Sequence, residues 1–178
     1  MKESQKPNKL YYKNDTMSIS FDFYFEGLMI DFTNKSDEDI KVNWDKIRMT
    51  ENETNKKIEH THIRSFSERE IIVAQPPSII SPKSGSTDLV VYADNIYYRK
   101  GTGKEIMAIK DMYPREGNKS TRDSIQKLKG QVITLFFPIE FKNVSHTWVF
   151  NFLLVDIKSR REISAGGTAL TLVGLPGW

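Results

Sequence analysis

Apolar and polar residues alternate along much of this chain with a period of two. After Met17, Ile19, Phe21, Phe23 and Phe25 alternate with Ser18, Ser20, Asp22 and Tyr24, the pattern of a strand with one face on a core. Glu26-Gly27 offers a tight turn, and Leu28 to Thr33 reads as a second strand ending in the polar turn at 34–39, so a hairpin is expected. Ile40, Val42 and Trp44 alternate with Lys41, Asn43 and Asp45, which points the tryptophan inward beside the phenylalanines of the first strand. Ile47 to Thr50 continues the sheet, Glu51 to Lys57 reads as a turn, and Ile58 to Phe66 as a further strand.

The second half repeats the theme. Ile71 to Ala74 is short and apolar, and Pro76-Pro77 with Pro82 and Gly85 stops any regular element from crossing 75–86. Thr87 to Ala93, Gln131 to Phe141, Thr147 to Ile157 and a last run at 168–173 are strand candidates, with Pro138 marking an edge or a bulge. The one helix expected is short, from Ser120 to Lys129: Ser120 caps, Asp123 lies in the first turn, and Ile125 and Leu128 share a side. Residues 1–16 are polar without periodicity and read as a flexible N-terminal tether. Many short strands and little helix imply an all-β, antiparallel sandwich of immunoglobulin-like type, one domain over 17–178 with a basic insertion at about 95–130.

Composition narrows the chemistry. The 178 residues are 38% hydrophobic and 28% charged, enough apolar material for one core. Cysteine is absent, which removes disulfides, thiolate metal sites and cysteine nucleophiles together. No apolar run reaches the length of a membrane span, and the first residues lack the apolar stretch of an export signal. The net charge of +3 is unevenly placed: Asn95 to Gly130 holds nine Lys or Arg against four acids, a local +5 that leaves −2 for the remainder.

That basic segment is the candidate binding surface. It sets Tyr97, Tyr98, Arg99, Lys100, Lys104, Tyr113, Arg115, Lys119 and Arg122 close together in sequence, cations beside aromatic rings that suit an anionic glycan, a lipid head group or a protein. The alternative is a charged insertion that is simply solvated. Gly101-Thr-Gly-Lys104 resembles the end of a phosphate-binding loop, but the earlier glycine is missing, Glu105 replaces the hydroxyl residue and no crossover helix follows. A hairpin tip, with Tyr98 and Arg99 on one limb and Ile106 and Met107 on the other, is the reading of those glycines. No cofactor is implied, and nucleic-acid binding ranks last because the aromatic residues belong to core-facing positions.

Other clusters carry weaker chemistry. His60 and His62 are two apart and share a strand face, the start of a metal site for a metal-dependent hydrolase, yet His146 has no spacing that makes it a third ligand. Asp37, Glu38 and Asp39 sit in a turn, where acids keep the backbone hydrogen-bonded rather than hydrolyse a glycosidic bond. No serine lies in a nucleophile elbow. Glycosylation sequons begin at Asn14, Asn34, Asn52, Asn118 and Asn143, a mark of secreted eukaryotic proteins, although Asn-rich turns produce the same triplets.

The run from Phe32 to Asp45, in which an Asn-x-Ser turn precedes an alternating strand ending in Trp-Asp, resembles a family of uncharacterised bacterial lipoproteins with an immunoglobulin-like sandwich. Further matches follow in order: His60 to Phe66, the bend from Pro77 to Pro82, Asp88 to Tyr98, Leu135 to Ile139 and Trp148 to Leu154. The resemblance spans roughly 17–157. It implies an exported, non-enzymatic, periplasmic or outer-membrane-anchored protein, held to the membrane by a lipid on a cysteine upstream of Met1. It implies no catalytic residues.

Overall fold

Residues that alternate in the sequence alternate in burial. The computed structural model describes residues 9–24, 26–51, 54–60, 75–100, 105–112, 123, 126–158 and 169–175. Their strands are β1 (Lys9–Lys13), β2 (Met17–Phe23), β3 (Leu28–Asn34), β4 (Ile40–Val42), β5 (Arg48–Glu51), β6 (Thr54–His60) and β7 (Ser78–Ile80). Then come β8 (Gly85–Tyr92), β9 (Ile96–Lys100), β10 (Glu105–Ile109), β11 (Val132–Phe141), β12 (Val144–Lys158) and β13 (Ala169–Leu175). Every pairing among the described residues is antiparallel.

Two layers enclose one core. The first runs β1-β2-β3-β8-β6 and the second β6-β5-β11-β12-β13, with β4 and β7 added beside β11. Strand β6 serves both layers, pairing with β5 through Thr54 to Lys57 and with β8 through Ile58 to His60. Inward side chains interlock: Phe21 meets Phe150 and Phe152 at 4.7 and 5.2 Å, Phe23 meets Phe152 at 5.0 Å, and Phe32 stacks on Phe137 at 6.2 Å. At about 25 cal/mol per Å² of apolar surface removed from water, such aromatic pairs dominate the burial that holds the layers together. The expected all-β sandwich is present, and residues 126–128 are helical within the basic insertion. The continuous path through β6 does not by itself specify the immunoglobulin subtype, whose two sheets are separate.

Several local expectations are corrected. The tether at 1–16 contains β1, in which Leu10 and Tyr12 alternate with Lys9, Tyr11 and Lys13 and pair with Phe21 and Ile19; only its first eight residues lie outside the described structure. The loop at 75–86 contains β7, three residues that pair with β4, because prolines on both sides leave just enough chain between them. The expected turn at 51–57 yields to β6 from Thr54, since Lys56 and Asn55 find ladder partners in Met49 and Thr50. The strand expected to Phe66 is described only to His60.

Trp44 is buried as expected but is not on a strand. Trp44–Lys46 forms a 3-10 turn between β4 and β5, and the indole lies edge-on to Phe137 of β11 at 6.2 Å. Its Nε1 donates to Ser78 Oγ at 2.7 Å. This turn also explains Pro138. Strands β4 and β5 pair with the two halves of β11, and the Pro138 carbonyl accepts from Asn43 N–H on that side. The amide that proline lacks points the same way, into the break between β4 and β5, so no ladder bond is lost.

At the opposite end of β8 from β6, one side chain joins the layers. Asn34 is fully buried. Its Nδ2 donates to the carbonyls of Glu38 at 2.7 Å, Ile80 at 2.9 Å and Ser81 at 3.2 Å, and its Oδ1 accepts from the Ser36 amide and hydroxyl at 2.9 and 2.7 Å. The Asn34 backbone N–H donates to Ser84. Strand β3 of one layer, the 35–39 turn and the end of β7 in the other layer thus meet at one amide group.

Asn34→Asp keeps the shape and removes the donors, setting a carboxylate against backbone carbonyls. Unfolding in urea is expected to show a loss on the order of 3 kcal/mol, because each buried group left unsatisfied costs about 1–3 kcal/mol. Gly27 closes the β2–β3 turn, where a Cβ would lie 2.4 Å from the Val90 carbonyl oxygen and 2.8 Å from Val91 Cγ1. Gly27→Ala is expected to lower stability by about 1–3 kcal/mol through forced displacement of β8, read as a reduced thermal midpoint.

Candidate functional site

β-Branched and aromatic residues at 96–98 favour extended backbone, and Gly101 and Gly103 allow the chain to reverse. Strands β9 and β10 accordingly form a hairpin of their own, in the register Lys100↔Glu105, Arg99↔Ile106, Tyr98↔Met107, Tyr97↔Ala108 and Ile96↔Ile109. The limbs are those expected from sequence. The hairpin shares no strand pairing with the sandwich among the described residues.

Its base is fixed. The turn Ala93–Asn95 leads in from β8, with Ile96 N–H donating to Ala93 O. Lys110 N–H donates to Asn95 O at 2.7 Å, and Asn95 Nδ2 donates to Asp111 O at 3.3 Å. Met112, just beyond β10, packs against the core. The arm is therefore clamped at the root and projects as a two-stranded ribbon.

Alternation on β9 places Tyr97 and Arg99 on one face and Ile96, Tyr98 and Lys100 on the other. Tyr97 is 48% exposed, Arg99 and Lys100 are exposed, and Tyr98 is half-buried. Arg99 and Lys100 have no ion-pair partner among the described residues, so their charges face solvent. The structure thus brings Tyr97, Tyr98, Arg99 and Lys100 together on one limb. Lys104, Tyr113, Arg115, Lys119 and Arg122 lie outside the described residues.

The other clusters have structural explanations. Asp37 pairs with Lys83 at 3.0 Å and Glu38 with Lys142 at 4.0 Å, while the Glu38 carbonyl accepts from Asn34 and Ser36. The acidic turn is tied to the fold, as its position in the sequence implied. His60 sits on β6 opposite Val90, His146 is exposed on β12 opposite Ile139, and His62 lies outside the described residues. Among the described residues no three His, Cys, Asp or Glu side chains converge on a point. A void of about 10 Å³, the size of one water, is lined by Trp44, Ser86, Asp88 and core residues and is too small for an organic ligand.

The sequons divide in the same way. Asn34 is sequestered by the bonds described above, which excludes it as a glycan acceptor in the folded chain. Asn14 Oδ1 accepts from the Thr16 and Met17 amides at 2.9 and 2.8 Å, and Asn143 occupies a left-handed turn position with φ 62°. These asparagines serve turns, while Asn52 and Asn118 lie outside the described residues. Among the described residues no helix is long and apolar enough to cross a membrane. No protein family, curated protein or solved structure matches the chain.

Because the Arg99 and Lys100 side chains touch nothing that holds the core, Arg99→Ala with Lys100→Ala is expected to change the unfolding free energy by less than about 0.5 kcal/mol, checked by thermal and urea denaturation.

Proposed function

We propose that the chain is a non-enzymatic binding module of the bacterial cell envelope, in which a rigid sandwich presents the β9–β10 arm to an anionic surface polymer or an acidic face of an envelope protein. The observation that carries this reading is the arm itself, which is clamped at its root, separate from the sheets, and tipped with exposed Tyr97, Arg99 and Lys100. Exposed cations raise encounter rates and set salt dependence, and an adjacent tyrosine adds flat apolar contact at low entropic cost. Fixing those groups on a ribbon reduces the ordering cost of binding.

The address rests on the resemblance of residues 32–45 and the later segments to envelope lipoproteins. In that reading a lipid-modified cysteine upstream of Met1 would hold the module at the membrane, periplasmic or outer-membrane-anchored, and the polar residues before β1 would act as the spacer. Among the described residues no observation favours the metal-dependent hydrolase based on His60 and His62.

Binding to a sulfated polysaccharide, used as a polyanionic probe and followed by calorimetry, is expected to weaken steeply with salt. The Arg99→Ala, Lys100→Ala double variant is expected to bind about tenfold more weakly, the effect of losing roughly 1.4 kcal/mol. Equal affinity of parent and double variant at low salt would remove the arm from the function. Binding of the parent only to extracted envelope protein, lost in the same variant, would assign the arm to a protein partner.

A further inference from the structure

The two faces of the β9–β10 ribbon differ in character. Its ladder runs one pair beyond the strands, because Lys110 N–H donates to Asn95 O at 2.7 Å, in step with the register Ile96↔Ile109 and Tyr97↔Ala108. Alternation therefore groups Lys110 with Tyr97, Ala108 and Arg99, and sets Ile96, Tyr98, Ile109 and Lys100 on the reverse. The reverse face is partly covered, since Ile96, Tyr98 and Ile109 are half-buried, and Lys100 stands at its far end across from the position of Glu105. The first face is open: Tyr97 is 48% exposed, Arg99 and Lys110 are exposed, and Ala108 sets only a methyl group beside the tyrosine. Among the described residues Arg99 and Lys110 have no ion pair and Tyr97 has no ring contact. No acid occurs in 95–99 or 108–110. An uncovered aromatic ring thus lies between two cations, each two positions, or about 7 Å, along the ribbon.

The size of this face limits its occupant. Five strand pairs at about 3.4 Å each, on two strands about 4.8 Å apart, give a flat area on the order of 200 Å². Each side of a stable protein–protein interface buries about 800 Å², so the face is too small to hold a folded partner by itself. A polymer of small repeating units laid along the ribbon fits it. Two cations without an acid call for an anionic unit, and a guanidinium matches a carboxylate with two parallel hydrogen bonds. The open tyrosine ring beside a methyl group suits a flat, weakly polar surface such as the C–H face of a sugar.

We propose that this face binds a polysaccharide of acidic sugars, with one sugar ring stacked on Tyr97 and the carboxylates of that unit and its neighbours paired with Arg99 and Lys110. The proposal rests on the reading of the arm as the binding element, and it names the ligand and the face that meets it. Lys110 becomes a binding residue. Lys100, on the reverse face, contributes through longer-range attraction alone.

Calorimetry with two polymers tests it: polygalacturonate, a carboxylated polysaccharide, and polyglutamate, which carries carboxylates without a sugar ring. The parent is expected to bind polygalacturonate about tenfold more tightly than polyglutamate. Tyr97→Ala is expected to weaken polygalacturonate binding about tenfold without changing its salt dependence, because no charge is removed, while Tyr97→Phe keeps the ring and the affinity. Two double variants remove equal charge, and Arg99→Ala with Lys110→Ala is expected to bind about tenfold more weakly than Arg99→Ala with Lys100→Ala. The side chains changed are exposed, and thermal denaturation checks that each variant keeps the parent fold. Equal affinity for the two polymers, equal losses in the two double variants, or a Tyr97→Ala variant that binds as the parent does would each overturn the proposal. The arm would still stand as a general polyanion-binding element wherever either double variant loses affinity for the sulfated polysaccharide. Binding of that probe unchanged in both double variants would remove the arm and this proposal together.

Discussion

The buried amide of Asn34 is the constraint on which the arrangement of the two layers depends. Sheets packed face to face are free to shear unless something fixes their relative position, and aromatic contacts alone tolerate sliding. Strand β6 fixes one end by passing from β5 to β8. Asn34 fixes the other, because its donors reach Ile80 and Ser81 from β3 while its oxygen orders Ser36 in the turn between β3 and β4. A carboxylate has no donor for those carbonyls, and an apolar side chain would leave several buried polar groups without partners. The primary amide is the side chain with both functions on one small group.

With the layers registered, the aromatic interior can interdigitate. Phe21, Phe23 and Phe32 reach across to Phe150, Phe152 and Phe137, and the 3-10 turn at Trp44 fills the space left where β4 and β5 part around Pro138. Two features stand apart from this closed system. The β9–β10 arm is clamped at its base yet outside the sheets, and among the described residues no strand pairs with the outer edge of β12 at 144–150. Both break the rule that strands are enclosed, and surfaces that break local rules are where function is sought.

Much of this was legible in the chain. Alternation marked β2, the turns on either side marked β3, β-branched, aromatic and apolar runs marked β8, β11 and β12, and the paired glycines marked the β9–β10 hairpin with its limbs assigned. Alternation failed where elements are short or held by distant partners. Strand β7 has three residues and exists only because β4 lies beside it. Strand β1 hides its period among lysines and tyrosines, whose long side chains count as polar but cover apolar surface. Trp44 continued the pattern of Ile40 and Val42, yet the backbone leaves the strand at Asn43. The Asn34 triplet looked like a glycan acceptor because three residues cannot report burial. Of the candidate site, Tyr97 to Lys100 was readable as a unit, because the residues are consecutive on one strand.

Amide hydrogen exchange across the whole chain, compared between the parent and Asn34→Ala, tests the role of the amide most directly. Protection is predicted to fall first at residues 35–39 and 78–84, where the lost bonds were made, while β11 and the paired part of β12 keep theirs. Uniform loss along the chain, or unchanged protection in those two segments, would contradict the account and place the registration of the layers in the aromatic core alone.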